Sequence, residues 1–399
     1  MSERATAHAR PARAWYRPML ARSPDEGRRA STPLELLFDL CFVVAVALAG
    51  SSLHHAVAEG HLGTAVLGYL SVFFAIWWAW MNFTWFASAY DCDDVPYRLA
   101  TLVQIAGALI LAAGVPRAFN GRDFAVITLG YVIMRLAVVG QWLRAGLTDT
   151  TRRRAAFRYA IGITACQAGW VARLALPARW GLASFGVLVV AELLVPLWAE
   201  RGTPIAWHPG HIAERYGLFT LIVLGETVAA ATTAMQSALD TGHRTADLVT
   251  LAASGLVTVF AMWWLYFAKP AEELLTSLRV AFRWGYGHLL IFSAAAAVGA
   301  GLQVAVDHDA GNAHVSAAVA AAATAVPVAV YLLAVWALHA RPHQHGRLQS
   351  LAYPVTAVLV LLAAATPVAL PLIAVLLAAL VTTSFLVDAG GRGHAAGRA

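Results

Sequence analysis

The stretch TPLELLFDLCFVVAVALAGS, residues 32–51, decides the fold. Thr32, Pro33 and Glu35 read as a helix start. A hydroxyl sits at the cap, a proline in the first turn, and a Glu where it reaches back to the cap. Residues 36–51 are apolar on every side of that helix, and among them Asp39 is the one charge. Such a helix has no polar face to turn toward water, so its surroundings are protein or lipid. Runs of about 17–25 apolar residues match the hydrocarbon thickness of a bilayer.

Working outward, similar runs recur along the chain. In the first half they fall at 33–53, 64–86, 98–116, 123–144, 155–175 and 180–198. In the second half they fall at 213–235, 246–268, 283–304, 314–338, 349–366 and 370–387. The last pair is the weakest, because Pro354, Pro367 and Pro371 interrupt it. The reading is an all-α polytopic membrane protein with twelve transmembrane helices arranged as two parallel six-helix repeats. The expected organisation is a basic tail over 1–30, one half over 31–200, the other over 201–387, and a tail over 388–399.

Composition agrees. Of 399 residues, 60% are hydrophobic and 13% charged, against about 25% charged in soluble domains. Mean hydropathy is +0.65. A pI near 9.5 raises nucleic acid as a partner, but the basic residues lie between apolar segments rather than as a stripe on one domain. Their distribution instead orients the chain. With the N-terminus in the cytoplasm, 22 of the 28 Lys and Arg residues fall in loops or span ends on the inside and 5 on the outside, with Arg135 alone in the middle of a span. That asymmetry follows the positive-inside rule and puts both termini in the cytoplasm. The Arg-rich first 30 residues lack an apolar core of their own, so the first helix is expected to be an uncleaved signal-anchor.

The halves resemble each other. Glu35 aligns with Glu214 at an offset of 179, Phe74-Ala75-Ile76-Trp77-Trp78 with Phe260-Ala261-Met262-Trp263-Trp264 at 186, and Arg98 with Arg283 at 185. Six spans per half send both halves into the bilayer the same way, related by an axis along the membrane normal. Leu218 stands where a strict repeat would put a second Asp39, so the halves differ in function.

ELLFDLCFVVAVA at 35–47 and ERYGLFTLIVLGETV at 214–228 resemble the two strongest signatures of the bacterial low temperature requirement protein A family. The resemblance runs from about residue 31 to 387. It implies a multi-pass membrane protein and brings no biochemical activity with it.

Ionisable residues inside spans are costly and therefore candidates for function. Glu35 and Asp39 lie one turn apart on one helix face. The cap accounts for Glu35; Asp39 sits a turn deeper and needs a proton or a basic partner. Glu214 and Arg215 open the seventh span, where His211 occupies the position a capping Ser or Thr would take. Glu226 lies 12 residues further on, roughly 18 Å at 1.5 Å per residue, near the midplane. Its neighbours are apolar apart from Thr227, so it is placed either to carry a proton or to serve as a hydrogen-bonding strut. Gly225 is expected to admit a neighbouring helix. Arg135 needs an acid, with Glu192 and Asp39 the available ones. His288 sits among aromatics, as a packing residue or a proton relay. Trp77, Trp78, Trp80, Trp263 and Trp264 are candidates to line a cavity.

Cys41, Cys92 and Cys166 form no CxxC pair. The loop histidines His54, His55 and His61, and His339, His343 and His345, follow no metal motif, so no metal is expected. No P-loop, GxSxG or HExxH occurs, and the loops are too short for a nucleotide-binding domain. No cofactor is expected. The partners expected are the lipid bilayer and a proton or small solute; the sequence gives no oligomeric state. Three functions fit: a proton-coupled secondary transporter of a small solute, a non-catalytic membrane factor, and an intramembrane lipid-modifying enzyme.

Overall fold

A computed structural model describes residues 15–22, 30–121, 123–240, 245–343 and 347–396. Among these residues all regular structure is helical. The helices are α1 (Pro33–Ala58), α2 (Leu62–Ala89), α3 (Val95–Gly121), α4 (Ala125–Thr148), α5 (Arg153–Arg173) and α6 (Gly181–Ala199). They continue with α7 (Pro209–Asp240), α8 (Thr245–Phe267), α9 (Leu278–Asp309), α10 (Ala317–Val335), α11 (Arg347–Ala363) and α12 (Ala369–Ala396). Each expected span falls on one of them. Most of the tail expected over 1–30 lies outside the described residues, as do Arg122, Arg244, His345 and Arg398.

Ten of the twelve helices are long and apolar enough to cross a membrane. The exceptions are α5 and α11. Arg153, Arg154, Arg158 and Arg173 crowd the two ends of α5. In α11 the apolar part shrinks to Ser350–Ala363, with Pro354 inside it. The prolines had put both α11 and α12 in doubt; α11 falls short, whereas Ala369–Leu386 of α12 is long and apolar enough, and the shortfall of α5 was not expected.

Exposure is inverted relative to a soluble protein. Leu182 and Val187 are 66% and 68% exposed, while Asp39, Arg135, Glu192 and Arg215 are at most 1% exposed. An apolar exterior around buried charge is the arrangement lipid selects. The start of α1 follows the sequence. Thr32 Oγ accepts from the Glu35 amide, and the Glu35 carboxylate accepts from the Thr32 amide at 2.8 Å.

Contacts divide the chain into two compact units. The larger comprises Arg28–Met81, Ala108–Ile127 and Pro209–Ala399. Its centre is α9, which packs on α10, α7 and α1, while α7 also meets α8 and α1. Small residues make this approach possible. A Cβ added at Gly299 would lie 3.1 Å from Thr227 Cα, and one at Gly301 would run into the Ala323 carbonyl. Polar side chains then tie helix to helix. Thr227 Oγ donates to the Ala295 carbonyl at 2.9 Å, Tyr69 to Ser293 at 2.6 Å, and Tyr331 to Met262 at 2.9 Å.

The smaller unit comprises Met1–Gly27, Asn82–Gly107 and Thr128–His208. Within it α5 packs on α6, and Trp142 stacks on Tyr159 with centroids 4.2 Å apart. Residues 15–22 are strapped across it: Met19 is fully buried, and its carbonyl accepts from Thr148 at 2.8 Å.

Candidate functional site

The larger unit gathers Glu35, Asp39, His211 and Arg215 where α1 and α7 begin. Arg215 and Asp39 form a forked pair: Nε donates to Oδ2 at 2.9 Å and Nη2 to Oδ1 at 2.5 Å. Trp80 of α2 donates its indole N–H to Asp39 Oδ1 at 2.6 Å. Glu35 divides its two oxygens. Oε2 takes the helix cap, while Oε1 faces Arg215 Nη1 at 3.2 Å and His211 Nε2 at 3.1 Å. The cap and the charge cluster therefore share one carboxylate. Glu214 does not join them; its Oε1 accepts from the Ser31 amide at 3.2 Å. The fork satisfies both Asp39 oxygens and the four side chains are buried, so this cluster locks α1 to α7.

Aromatic packing leads away from the lock. The ring of Tyr216 meets Trp80, Trp284 and His288. His288, fully buried, faces the Trp284 carbonyl through Nδ1 at 2.7 Å. Its Nε2 faces Tyr266 Oη at 3.0 Å and His339 Nε2 at 3.3 Å. With Nδ1 donating to a carbonyl, Nε2 of a neutral ring is an acceptor. His339 reaches this point because Trp336–Ala340 forms a π-helical turn that continues α10. Wide turns of this kind re-aim side chains within a helix.

Further along α7, Glu226 is half-buried and lines a cavity of about 250 Å³. Ser51 of α1, Thr227 and Thr233 of α7, and Gln303 of α9 also line it, and the rest of the wall is aliphatic or glycine. Glu226, Ser51 and Gln303 make no hydrogen bond or ion pair with another described residue. One turn beyond, His54 of α1 meets Asp307 of α9 at 2.6 Å.

Gly225 differs from expectation. An added Cβ there would meet nothing within 4 Å, so it admits no helix; Gly299 of α9 provides the close approach to α7 instead. The tryptophans also part company. Trp77 and Trp78 are buried against Phe74 and Tyr286, whereas Trp263 and Trp264 are 43% and 47% exposed. None of the five, Trp80 included, lines the Glu226 cavity, whose wall is mostly small side chains.

In the smaller unit Arg135 pairs with Glu192 at 2.9 Å, both buried. Glu192 Oε1 also accepts from Tyr131 and Gln167, each at 3.0 Å, and from Trp170 at 3.3 Å. Of the two acids available to Arg135, Asp39 is occupied by Arg215. At the foot of this unit Asp94 accepts from the amides of Arg17 and Tyr97 and from both terminal nitrogens of Arg144. Burial alone would raise its pKa; the guanidinium and the amides outweigh that and hold it below 3.8. The neighbouring Cys92 thiol is pushed up to about 11, first by burial and then by Asp94. Glu200, just past α6, is pushed up to about 7 by burial, against the opposing hydrogen bonds from Tyr159 and the Ile205 amide.

From sequence, Trp80 stood among the cavity-lining tryptophans and His339 among the loop histidines, and Tyr266 carried no assignment. Helical spacing carried one signal: Tyr266 is Trp80 displaced by the same 186 residues that relate Trp77 to Trp263. Among the described residues no group of three His, Cys, Asp or Glu is placed to hold a metal.

Apolar-surfaced helices around buried, paired charge define a multi-pass helical membrane protein. Its two charge-bearing segments, 35–47 and 214–228, meet at the lock, which gives their pairing a physical basis. The chain belongs to the bacterial low temperature requirement A protein (LtrA) family, whose profile matches residues 30–386. It is similar to a Rhizobium meliloti (strain 1021) protein described as "Uncharacterized protein RA0937". The two are 29% identical over 304 residues, covering 72% of this chain and 70% of that protein.

Proposed function

We propose that the protein is a proton-coupled secondary transporter of a small solute, with Glu226 carrying the coupling proton. The observation that carries this reading is the contrast among the acids within the helices. Asp39 and Glu192 are held by arginines, whereas Glu226 borders a cavity with no described partner. A carboxyl group without a fixed countercharge is free to exchange a proton. The locked cluster of Glu35, Asp39, His211 and Arg215, with Glu214 beside it, closes the cytoplasmic end of α1 and α7 and acts as a gate.

In this reading all twelve helices span the inner membrane as two parallel six-helix repeats over 31–200 and 201–387. The tails at 1–30 and 388–399 lie in the cytoplasm. Transporters built from parallel repeats place their sites between the halves near the midplane. A second reading, a non-catalytic membrane factor, is favoured by the completeness of the Asp39–Arg215 fork, which suits a static strut. An intramembrane enzyme has less support, since the acids nearest to His211 are taken up by Arg215.

The test is proton flux in proteoliposomes. Vesicles with a trapped pH dye are offered pools of neutral, anionic and cationic small solutes. Solute-driven proton movement that disappears in Glu226→Gln supports transport. Movement unchanged by that substitution removes Glu226 from the mechanism, and no movement with any pool favours the non-catalytic reading.

A further inference from the structure

The Glu226 cavity has a charge character that narrows what it takes. Its wall contains one carboxylate, hydroxyls from Ser51, Thr227 and Thr233, and the Gln303 amide, and no basic side chain. The titratable groups that α1 and α9 bring within a turn of the wall are already paired. His54 and Asp307 pair with each other a turn away, His288 and Tyr266 bond to one another, and Arg215 is committed to Asp39 and Glu35. Thr227 and Thr233 spend their hydroxyl protons on the carbonyls of Val223, Ala295 and Ala229, so toward a further group these hydroxyls act as acceptors. Oxygen acceptors around a single carboxylate form a site for a cation.

We infer that the cavity is a shared site in which Glu226 holds either a proton or a small monovalent cation, so that the protein exchanges one for the other. This rests on the transporter reading above and names its substrate class and stoichiometry. The physical argument is exclusion. A carboxylate that binds a cation has lost its proton, and a protonated carboxyl group offers a cation no charge. Both loaded forms are neutral. The empty, ionised form is a lone charge among helices, which low-dielectric surroundings penalise. The loaded forms therefore cross between the two sides and the empty one does not. Each cycle carries one cation one way and one proton the other, with no net charge moved. About 250 Å³ accommodates an alkali ion with part of its water shell or a compact organic cation.

The full chain is tested in two ways with Na⁺, K⁺ and tetramethylammonium as probes. In detergent and weak buffer, adding the cation should release a single proton per cation bound. In vesicles with an acid interior, adding it outside should alkalinise the lumen. Glu226→Gln should lose both signals and Glu226→Asp should retain them. Ala230→Phe, which fills the cavity but keeps the acid, should lose cation-driven release. A response to the alkali ions alone, or to tetramethylammonium alone, identifies the source of the cation. Equal signals in Glu226→Gln and the native chain, or no proton release with all three probes, overturn the inference. If neutral or anionic solutes then drive a Glu226-dependent proton flux, the transporter reading stands without it. If no solute does so, both fall.

Discussion

Replacing Asp39 by Leu should be among the most damaging single changes in the larger unit, and replacing Arg215 as well should repair most of the damage. Asp39 is fully buried and accepts from Arg215 Nε at 2.9 Å, Arg215 Nη2 at 2.5 Å and Trp80 Nε1 at 2.6 Å. Without it, a buried guanidinium loses its forked acceptor, the Glu35 contact at 3.2 Å remains, and the indole donor loses its acceptor. Breaking a buried ion pair from one side costs about 3–5 kcal/mol. That is roughly two to four orders of magnitude in the folding equilibrium. Arg215→Met should cost a similar amount, because it leaves two neighbouring carboxylates with no guanidinium between them. In Asp39→Leu/Arg215→Met the forked pair is gone and its volume refilled, while Glu35 keeps the Thr32 cap and the His211 contact. Such replacements run from neutral to stabilising, so the double variant should lie within about 2 kcal/mol of the native chain. Equilibrium unfolding in mixed detergent micelles, followed by tryptophan fluorescence, reads all four corners of the cycle. Additive single effects, or singles costing under about 1 kcal/mol, would show that the lock is not a desolvated pair.

Three further outcomes are expected from the geometry. Gly301→Ala drives a Cβ into the Ala323 backbone between α9 and α10 and should cost about 1–3 kcal/mol by overpacking in the same unfolding assay. Glu226→Gln removes a carboxylate with no described partner and should change stability by less than about 0.5 kcal/mol, so its transport phenotype reads function rather than folding. Glu200 titrates near 7 in the folded chain, raised from 4.5 by burial. Between those values the folded state holds a proton that the unfolded state releases, so the stability it contributes is complete below 4.5 and lost as pH rises through 7. Glu200→Gln keeps an acceptor for Tyr159 and should flatten that dependence. Melting temperatures compared at about pH 5 and about pH 8 check it.

Much of the molecule is legible in the chain. Apolar runs of bilayer length need no tertiary information, since lipid obliges each span to satisfy its backbone internally as a helix. Each expected span accordingly fell on a helix, and Thr32 and Glu35 formed the expected cap. The ionisable candidates could be picked out because charge inside an apolar run is rare. Their partners could not. Arg135 had two acids available by sequence, and only the packing of α4 near α6 in the smaller unit assigns Glu192. Trp80 stood among the cavity-lining tryptophans until α2 placed its N–H on Asp39. His339 lay among the loop histidines until a π-helical turn carried it to His288.

Sequence alone determined that this chain is helical and lives in lipid, and which two segments carry the family's signature, because hydropathy and helix caps are local properties. Only the tertiary structure decided which buried acids are spent and which is free. Asp39 and Glu226 look alike in sequence, an acid in an apolar run. The difference is what neighbouring helices present to them: a guanidinium and an indole for one, and for the other a void left by small side chains.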